Sequence, residues 1–500
     1  MHFHLPRVKS FTDIIEQVRD AIRHKHEKES EAHQASSVAE SIFRQAAGHQ
    51  PKGVNPEMVN PDEETVPGIE HPGSTGVIYC SDRAMANGFS YANSHEWANL
   101  GQGAPEVGPI PDAPARPNSI PIPVDSLEYA PTTGVKELRE AVANLYNDTY
   151  RKEKTSKYTY ENVCIVPGGR AGLTRVAAVI GDVYTSYQIP DYTAYDQVLS
   201  VFKRLVPVPT ALDVKSKYKL DIEQTKRDIR NQGLAVILAS NPRNPTGQVI
   251  KGHDLKELVA LGREGTTVIL DEFYSWYIYP DHDSGFGKSI SSAKYIEDVN
   301  EDSVVIIDGL TKNAAGRDSS PGSCQSCSRK GAIQLGGHSG FAYAYDLNYQ
   351  LALQRHFKAK RDHVLHRLRD LGLEVDLAPT STFYIWLNLE KLPEPLNNGL
   401  VFFEELLKFK TIVIPGIFFD INPAHRRNLF NSPCHHFVRI SFGPPIEDLD
   451  RGLDAIAMVL KQAKKVGPQN MGRGYVASES RDLDRSLTLI LLDIRKASMA

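Results

Sequence analysis

Cysteine is scarce in this chain: 5 in 500 residues, an odd number. That argues against a disulfide framework and for reduced thiols. Neither sign of charge dominates. There are 57 basic and 61 acidic residues, a formal net charge of −4, so nothing in the balance asks for nucleic acid or an anionic membrane as partner. No apolar run reaches the ~18 residues that a spanning helix needs. The N-terminus, MHFHLPRVKSFTDIIEQ, lacks the apolar stretch of a signal peptide, and its early acids set it apart from a transit peptide. No internal repeat is visible. These absences leave a cytoplasmic protein as the expectation. Its hydrophobic share, 41%, is enough for a sizeable core, and its length implies two or three domains.

Residues 1–75 read as a polar, His- and Glu-rich N-terminal extension, partly disordered, with one short amphipathic helix near 11–24. From 50 to 76 prolines, glycines and acids recur without periodicity, as in a linker. A winged DNA-binding domain is disfavoured there because no basic recognition helix is present. Residues 76–130 read as an N-terminal arm and part of a small domain. Over 131–355 short β-rich runs at 162–167, 235–240, 267–271 and 303–308 alternate with helical patterns such as 173–180 and 255–263. Alternation of this kind predicts a large α/β domain of three layers, a mostly parallel central sheet between helices. A long charged helix starts near His356. The strand-like runs TFYIWLNL and HFVRISFG come next, with a helix at 401–410 between them. This pattern predicts a smaller α+β domain over 356–466, and 467–500 is left as a tail.

In open α/β sheets the ligand lies outside the carboxyl ends of the strands. The residues found there are Gly168-Gly169-Arg170, the turn 241–247, Asp271 and Lys312. In SNPRNPTGQ, Pro242 and Pro245 forbid a helix and hold Asn244 at the strand end. In LDEFYSWY, Asp271 ends a buried strand, where a carboxylate is costly unless it meets a cation. A protonated ring nitrogen would suit it, with Tyr274 and Asn244 donating to a phenolate oxygen on the ring's other side. In PGGRAGLTR, backbone N–H groups at a helix start would cradle a phosphate. In PDYTAY, Tyr192 offers a flat face for a ring. Each alone has a plainer reading, such as an Asn-Pro turn, a capping aspartate or a core tyrosine. Together they fit pyridoxal 5'-phosphate.

With these residues in this order, the chain resembles the class I/II aminotransferases, pyridoxal-phosphate enzymes of fold type I, over roughly residues 95 to 465. The matching motifs run LGQGAPE, YAPTTGVKELREAV, GGRAGL, PDYTAY, NPRNPTG, DEFY, GLTK, TFYIWLNL, PGIFF and VRISFG. The resemblance implies that Lys312 bonds the cofactor covalently and later moves the substrate's α-proton, while Asp271 keeps the pyridine nitrogen protonated. Asn244 and Tyr274 would hydrogen-bond the ring oxygen, and Tyr192 would stack on the ring. Gly169 and Arg170 would offer backbone amides to the phosphate, with the Thr311 hydroxyl nearby. Arg439 would grip the substrate carboxylate bidentately, in a pocket lined by Gly103. Tyr129 would reach the neighbouring subunit's phosphate site, which implies a homodimer. The implied activity moves an amino group between an amino acid and a 2-oxo acid. A lyase, decarboxylase or cyclase on the same fold would share the lysine and the arginine. A catalytically impaired relative is the third reading.

That third reading exists because the pattern fails after GLTK. The family's lysine signature continues into a phosphate-binding arginine eight residues on, where this chain has Ser320; Arg317 comes five residues after Lys312. Residues 313–340 carry neither helical nor strand periodicity and read as aberrant. Either the gene model is wrong there, the explanation favoured, or the enzyme is degenerate. Cys324-x-x-Cys327 and Cys434-His435-His436 would sit in different domains, so no metal site is expected.

Overall fold

The computed structural model describes residues 76–309, 312 and 345–466, apart from short breaks at 107, 116–123, 125–127, 203, 424–425, 428 and 430–431. Helix α1 (Val77–Ala86) and the two-residue strand β1 (Ala98–Asn99) precede α2 (Lys136–Tyr150) and α3 (Gly169–Val179). Strands and helices then alternate through β2 (Val183–Ile189), α4 (Ala194–Val201), β3 (Leu205–Ala211), α5 (Ile222–Gln232), β4 (Leu234–Ser240), α6 (His253–Ala260), β5 (Thr267–Asp271) and β6 (Val304–Ile307). The remainder comprises α7 (Leu347–Asp370), β7 (Tyr384–Asn388), α8 (Gly399–Leu407), the short β8 (Thr411–Ile412) and β9 (Ile414–Pro415), β10 (Phe437–Ser441) and α9 (Ile446–Val466).

Strands β2 to β6 make one sheet in the order β3-β2-β4-β5-β6, every pair parallel. The sequences LAVILAS and TVILD are buried almost end to end, as expected of central strands covered on both faces. Strand β3 lies at an edge and carries Pro207 and Pro209. Proline cannot donate to a ladder, so an edge is where it is tolerated; the same prolines break the apolar run that would have marked this strand in the sequence. Helix α3 packs with α4 and α5 with α6, giving the expected three-layer α/β/α arrangement. In β4, β5 and β6 the residues Ser240, Asp271 and Ile307 stand level in the register. The segments leaving these three strands therefore emerge along one line at the sheet's carboxyl edge.

A second sheet, β7-β10-β9, is antiparallel and sets Arg439 opposite Trp386 and Ile414. Strands β1 and β8 pair in parallel. The Ser441 N–H donates to the Leu100 carbonyl (2.7 Å), which ties the segment after β1 to the end of β10. Helix α7 buries Tyr349, Leu353, Phe357, Val364 and Leu368, a stripe at helical spacing along a charged sequence. Asp346 caps it by accepting from the Asn348 and Tyr349 N–H groups. The helix runs across residue 355, where the sequence pattern divides the large domain from the small one.

One expected strand does not form. Residues 160–162 make a 3₁₀ turn and 163–166 form no regular element. The Ile165 N–H donates to the Thr133 carbonyl (2.9 Å) instead. An apolar run becomes a strand when a neighbouring strand satisfies its backbone, and among the described residues no strand pairs with this one. The N-terminal extension with its helix near 11–24, the aberrant stretch 313–340 and the tail all lie outside the described residues. Among the described residues no helix is long and apolar enough to cross a membrane.

Candidate active site

Asp271 closes β5 as a buried carboxylate. Its Oδ2 accepts from the Tyr195 hydroxyl (2.9 Å) and its Oδ1 from the Phe273 N–H (3.4 Å). Burial dominates its ionisation and pushes its carboxyl up to about 6, against the two hydrogen bonds and the nearby Lys312 charge. Tyr195 is fully buried on the first turn of α4. It lies three residues beyond Tyr192 in PDYTAY, and the sequence pattern singles out its neighbour rather than Tyr195 itself.

The turn after β4 is rigid for identifiable reasons. Asn241 bonds the Ile250 backbone in both directions, donating from Nδ2 to the carbonyl (3.0 Å) and accepting the N–H at Oδ1 (2.8 Å). Arg243 N–H donates to the Gln248 carbonyl and Gly247 N–H to the Arg243 carbonyl (2.8 and 2.9 Å). Below the turn, the Arg243 guanidinium lies 3.9 Å from Asp191, and Ser240 Oγ donates to Asp191 Oδ1 (2.6 Å), all three buried. Held this way, Asn244 Oδ1 accepts from the Arg439 Nη1 group (2.9 Å), which leaves the amide NH₂ as the end free to serve a ligand.

Arg439 is buried on β10. Besides Asn244 it donates to the Gly101 carbonyl (2.6 Å), and its guanidinium lies over the Tyr384 ring (4.2 Å) and near the Phe419 ring (5.0 Å). Its Nε is buried with no partner. Lys312 is half-buried; its Nζ donates to the Gly103 carbonyl, and its own carbonyl accepts from the Tyr277 hydroxyl (2.6 Å). Burial and the Arg439 charge bring the Lys312 amine down to about 8; Asp271 opposes the shift and Arg170 adds to it. A Cβ on Gly103 would fall 2.4 Å from the Tyr384 hydroxyl and 3.9 Å from Arg439 Nη2. The expected Lys312, Asp271, Asn244, Arg439 and Gly103 thus converge.

Tyr274 lies in the same place, its hydroxyl 2.7 Å from that of Tyr384. Burial pushes the Tyr274 phenol well above its usual range. Tyr384 is a second residue that sequence reasoning misses, because a tyrosine inside TFYIWLNL looks like strand core. Tyr192 is half-buried and meets Tyr195 edge-on at 5.6 Å. Arg170 is exposed; its Nε donates to the Tyr192 hydroxyl (3.3 Å). Helix α3 starts at Gly169 behind Gly168, whose φ of 86° favours glycine and which brings no side-chain cap. The first N–H groups of α3 are therefore open to an anion. Gly169 is also required for packing, since a Cβ there would fall 2.2 Å from the Phe273 ring. Tyr129 is 85% exposed and has no described contact with this cluster. Thr311, Cys324 and Cys327 lie outside the described residues, and among those described no group of three or more His, Cys, Asp or Glu residues could hold a metal ion.

Comparison with known proteins points to one fold and one family of relatives. Residues 95–316 match the family "Aminotransferase class I and II", and the match stops four residues past Lys312, where the sequence pattern fails. A probable aspartate/prephenate aminotransferase of Aquifex aeolicus is 24% identical over 356 residues, covering 67% of this chain and 84% of the relative. An aspartate aminotransferase of Pyrococcus abyssi is 24% identical over 359 residues, covering 67% and 85%. Among solved structures, the aspartate aminotransferase of Thermus thermophilus with maleate superposes with a TM-score of 0.58 at 20% identity, covering 77% of this chain and 97% of that one. An aminotransferase from Mycobacterium tuberculosis gives 0.58 at 19% identity, covering 77% and 96%.

Proposed function

We propose that the chain is a member of the class I and II aminotransferase family, whose model matches residues 95–316, and that it transfers an amino group between an amino acid and a 2-oxo acid with pyridoxal 5'-phosphate as cofactor. The observation that carries this reading is the convergence on one short segment. Lys312 donates to the Gly103 carbonyl and Arg439 to the Gly101 carbonyl, beside a buried carboxylate at Asp271.

The residues fit the cofactor. Asp271 is a buried acid whose hydrogen-bond partners are a hydroxyl and an N–H, so a protonated ring nitrogen would supply a cation bonded directly to it. The Asn244 amide and Tyr274 would hold the ring oxygen, and Tyr192 would cover a ring face. The open N–H groups of α3 and the Arg170 guanidinium would take the phosphate. When bound, the cofactor supplies an electron sink for the bond broken at the substrate's Cα.

The chain's own residues do the rest. Arg439 holds the substrate carboxylate in its fork, under the shelter of Tyr384 and Phe419. Lys312 Nζ, brought down to about 8, takes a proton from the substrate's Cα near neutral pH and returns it. Asp271, tied to Tyr195, holds its proton-bearing partner in one orientation. We further read the protein as a cytoplasmic homodimer. The exposed Tyr129 supports a second copy, because among the described residues that ring is left mostly uncovered.

The test uses the full chain incubated with pyridoxal phosphate and a panel of amino acids, 2-oxoglutarate serving as acceptor. Stoichiometric formation of a 2-oxo acid and glutamate is expected from at least one donor. Loss of carbon dioxide or ammonia without glutamate would overturn transamination in favour of other chemistry.

A further inference from the structure

We propose that Tyr384 is a positioning residue: its hydroxyl donates to Tyr274 and so turns the single Tyr274 hydrogen outward, toward the ring oxygen that Tyr274 would serve. The inference deepens the function proposed above and rests on it.

Tyr384 opens β7, opposite Ser441 of β10, and is 1% exposed. Its hydroxyl and that of Tyr274 are 2.7 Å apart, and either could be the donor. The two rings meet edge-on at 5.5 Å and 74°. A phenol has one hydrogen to give. If Tyr274 gives its hydrogen to Tyr384, it has none left for a ligand. If Tyr384 gives, the Tyr274 hydrogen is free, and a chain of two hydrogen bonds makes Tyr274 the stronger donor.

Arg439 decides between the two. Its guanidinium lies directly over the Tyr384 ring, 4.2 Å from the centroid. A cation on a phenol's face stabilises the electron-rich form, so it makes that phenol the better hydrogen donor. Gly103 fixes the hydroxyl from the other side, because no Cβ fits between that backbone and the Tyr384 oxygen. Arg439 also faces the substrate. A carboxylate bound there would neutralise the charge over Tyr384, weaken its donation and reach the cofactor oxygen through Tyr274. Tyr384 thereby links substrate binding to the cofactor's proton affinity.

The experiment titrates the visible absorption band of the full chain saturated with pyridoxal phosphate. It compares wild type, Tyr384→Phe, Tyr274→Phe and the double variant, and the dissociation constant for the cofactor is read from the same samples. Tyr384→Phe should raise the pH midpoint of the band by about half a unit, a roughly threefold change in proton affinity, with the cofactor dissociation constant little altered. Tyr274→Phe should raise it further, and the double variant should match Tyr274→Phe, since Tyr384 acts through Tyr274 alone. An unchanged midpoint in Tyr384→Phe, a lowered one or additive effects would each overturn the proposal; a lowered midpoint would make Tyr384 the acceptor. A wild-type chain that forms no pH-sensitive band would instead overturn the proposed function itself, and this inference with it.

Discussion

Arg439 donates to Asn244 across 2.9 Å, so the residue that would grip the substrate is bonded to one that would hold the cofactor. Lysine cannot reproduce this arrangement, because a single ammonium cannot serve Asn244, the Gly101 carbonyl and a carboxylate in one plane. Arg439→Lys should therefore raise the substrate KM by roughly 10- to 150-fold, the equivalent of one charge-assisted hydrogen bond worth about 1.5–3 kcal/mol. Cofactor affinity should fall less, since Asn244 keeps its turn. Steady-state kinetics and cofactor titration on the same preparation decide the matter. Equal losses in both would make Arg439 a structural residue.

Lys312→Ala should abolish covalent attachment of pyridoxal phosphate and lower transamination by at least about 10²-fold, the usual contribution of a positioned acid–base group. The fold should survive, because the side chain is half-buried and its amine bonds a single carbonyl. Borohydride reduction followed by mass measurement reads the attachment, and circular dichroism reads the fold. Unchanged turnover in this variant would sink the assignment.

The ends of the central strands are readable in the sequence because their chemistry is unusual there. A proline-flanked asparagine and an acid closing an apolar run have few structural excuses. Tyr195 and Tyr384 are not readable, since a tyrosine in an apolar run is ordinarily core, and only the fold shows which hydroxyl points at Asp271 or Tyr274. The run 162–167 misleads for the opposite reason: its composition is that of a strand, but pairing depends on a neighbour that local sequence does not encode. Sequence pattern gives Gly169 a role in phosphate binding alone, whereas contact with Phe273 requires a glycine there in any case. The substrate arginine is legible through VRISFG, but its bond to Asn244 belongs to the way β10 meets the turn after β4.

The depressed Lys312 amine makes cofactor loading depend on pH. The neutral amine is the reactive form, and its ionisation sits at about 8. Only about a tenth is neutral at pH 7 and about nine-tenths at pH 9. The rate of attachment to the cofactor-free chain should therefore rise roughly tenfold over that interval and level off above it. A lysine with an ordinary amine would still be gaining rate at pH 9. Stopped-flow absorbance at fixed cofactor concentration separates the two profiles; a rate still climbing tenfold per unit above pH 9 would mean that burial and Arg439 do not act on Lys312 as described.

The chain carries Ser320 where the class I/II aminotransferases it resembles have a phosphate-binding arginine, and backbone amides alone leave a dianion short of positive charge. Charge-assisted hydrogen bonds to such an anion are worth about 1.5–3 kcal/mol each, so the loss of a bidentate arginine should weaken cofactor binding by about 10²–10⁴-fold. Arg170 is the described cation placed to recover part of that loss. It stands on the first turn of α3, whose N–H groups are open, and it bonds the Tyr192 hydroxyl at 3.3 Å. Being exposed, it can move to a phosphate without leaving a buried charge behind. Arg170→Met should therefore weaken pyridoxal phosphate by about tenfold or more while leaving the affinity for pyridoxal, which has no phosphate, within about twofold. The contrast isolates the phosphate from the ring and from Lys312, whose amine the substitution would shift slightly upward by removing a nearby positive charge. If both ligands weaken alike, Arg170 serves Tyr192 and the ring instead. If neither changes, the phosphate takes its charge from elsewhere in the chain, and Arg317, the nearest arginine after Lys312 in the sequence, is the next to replace.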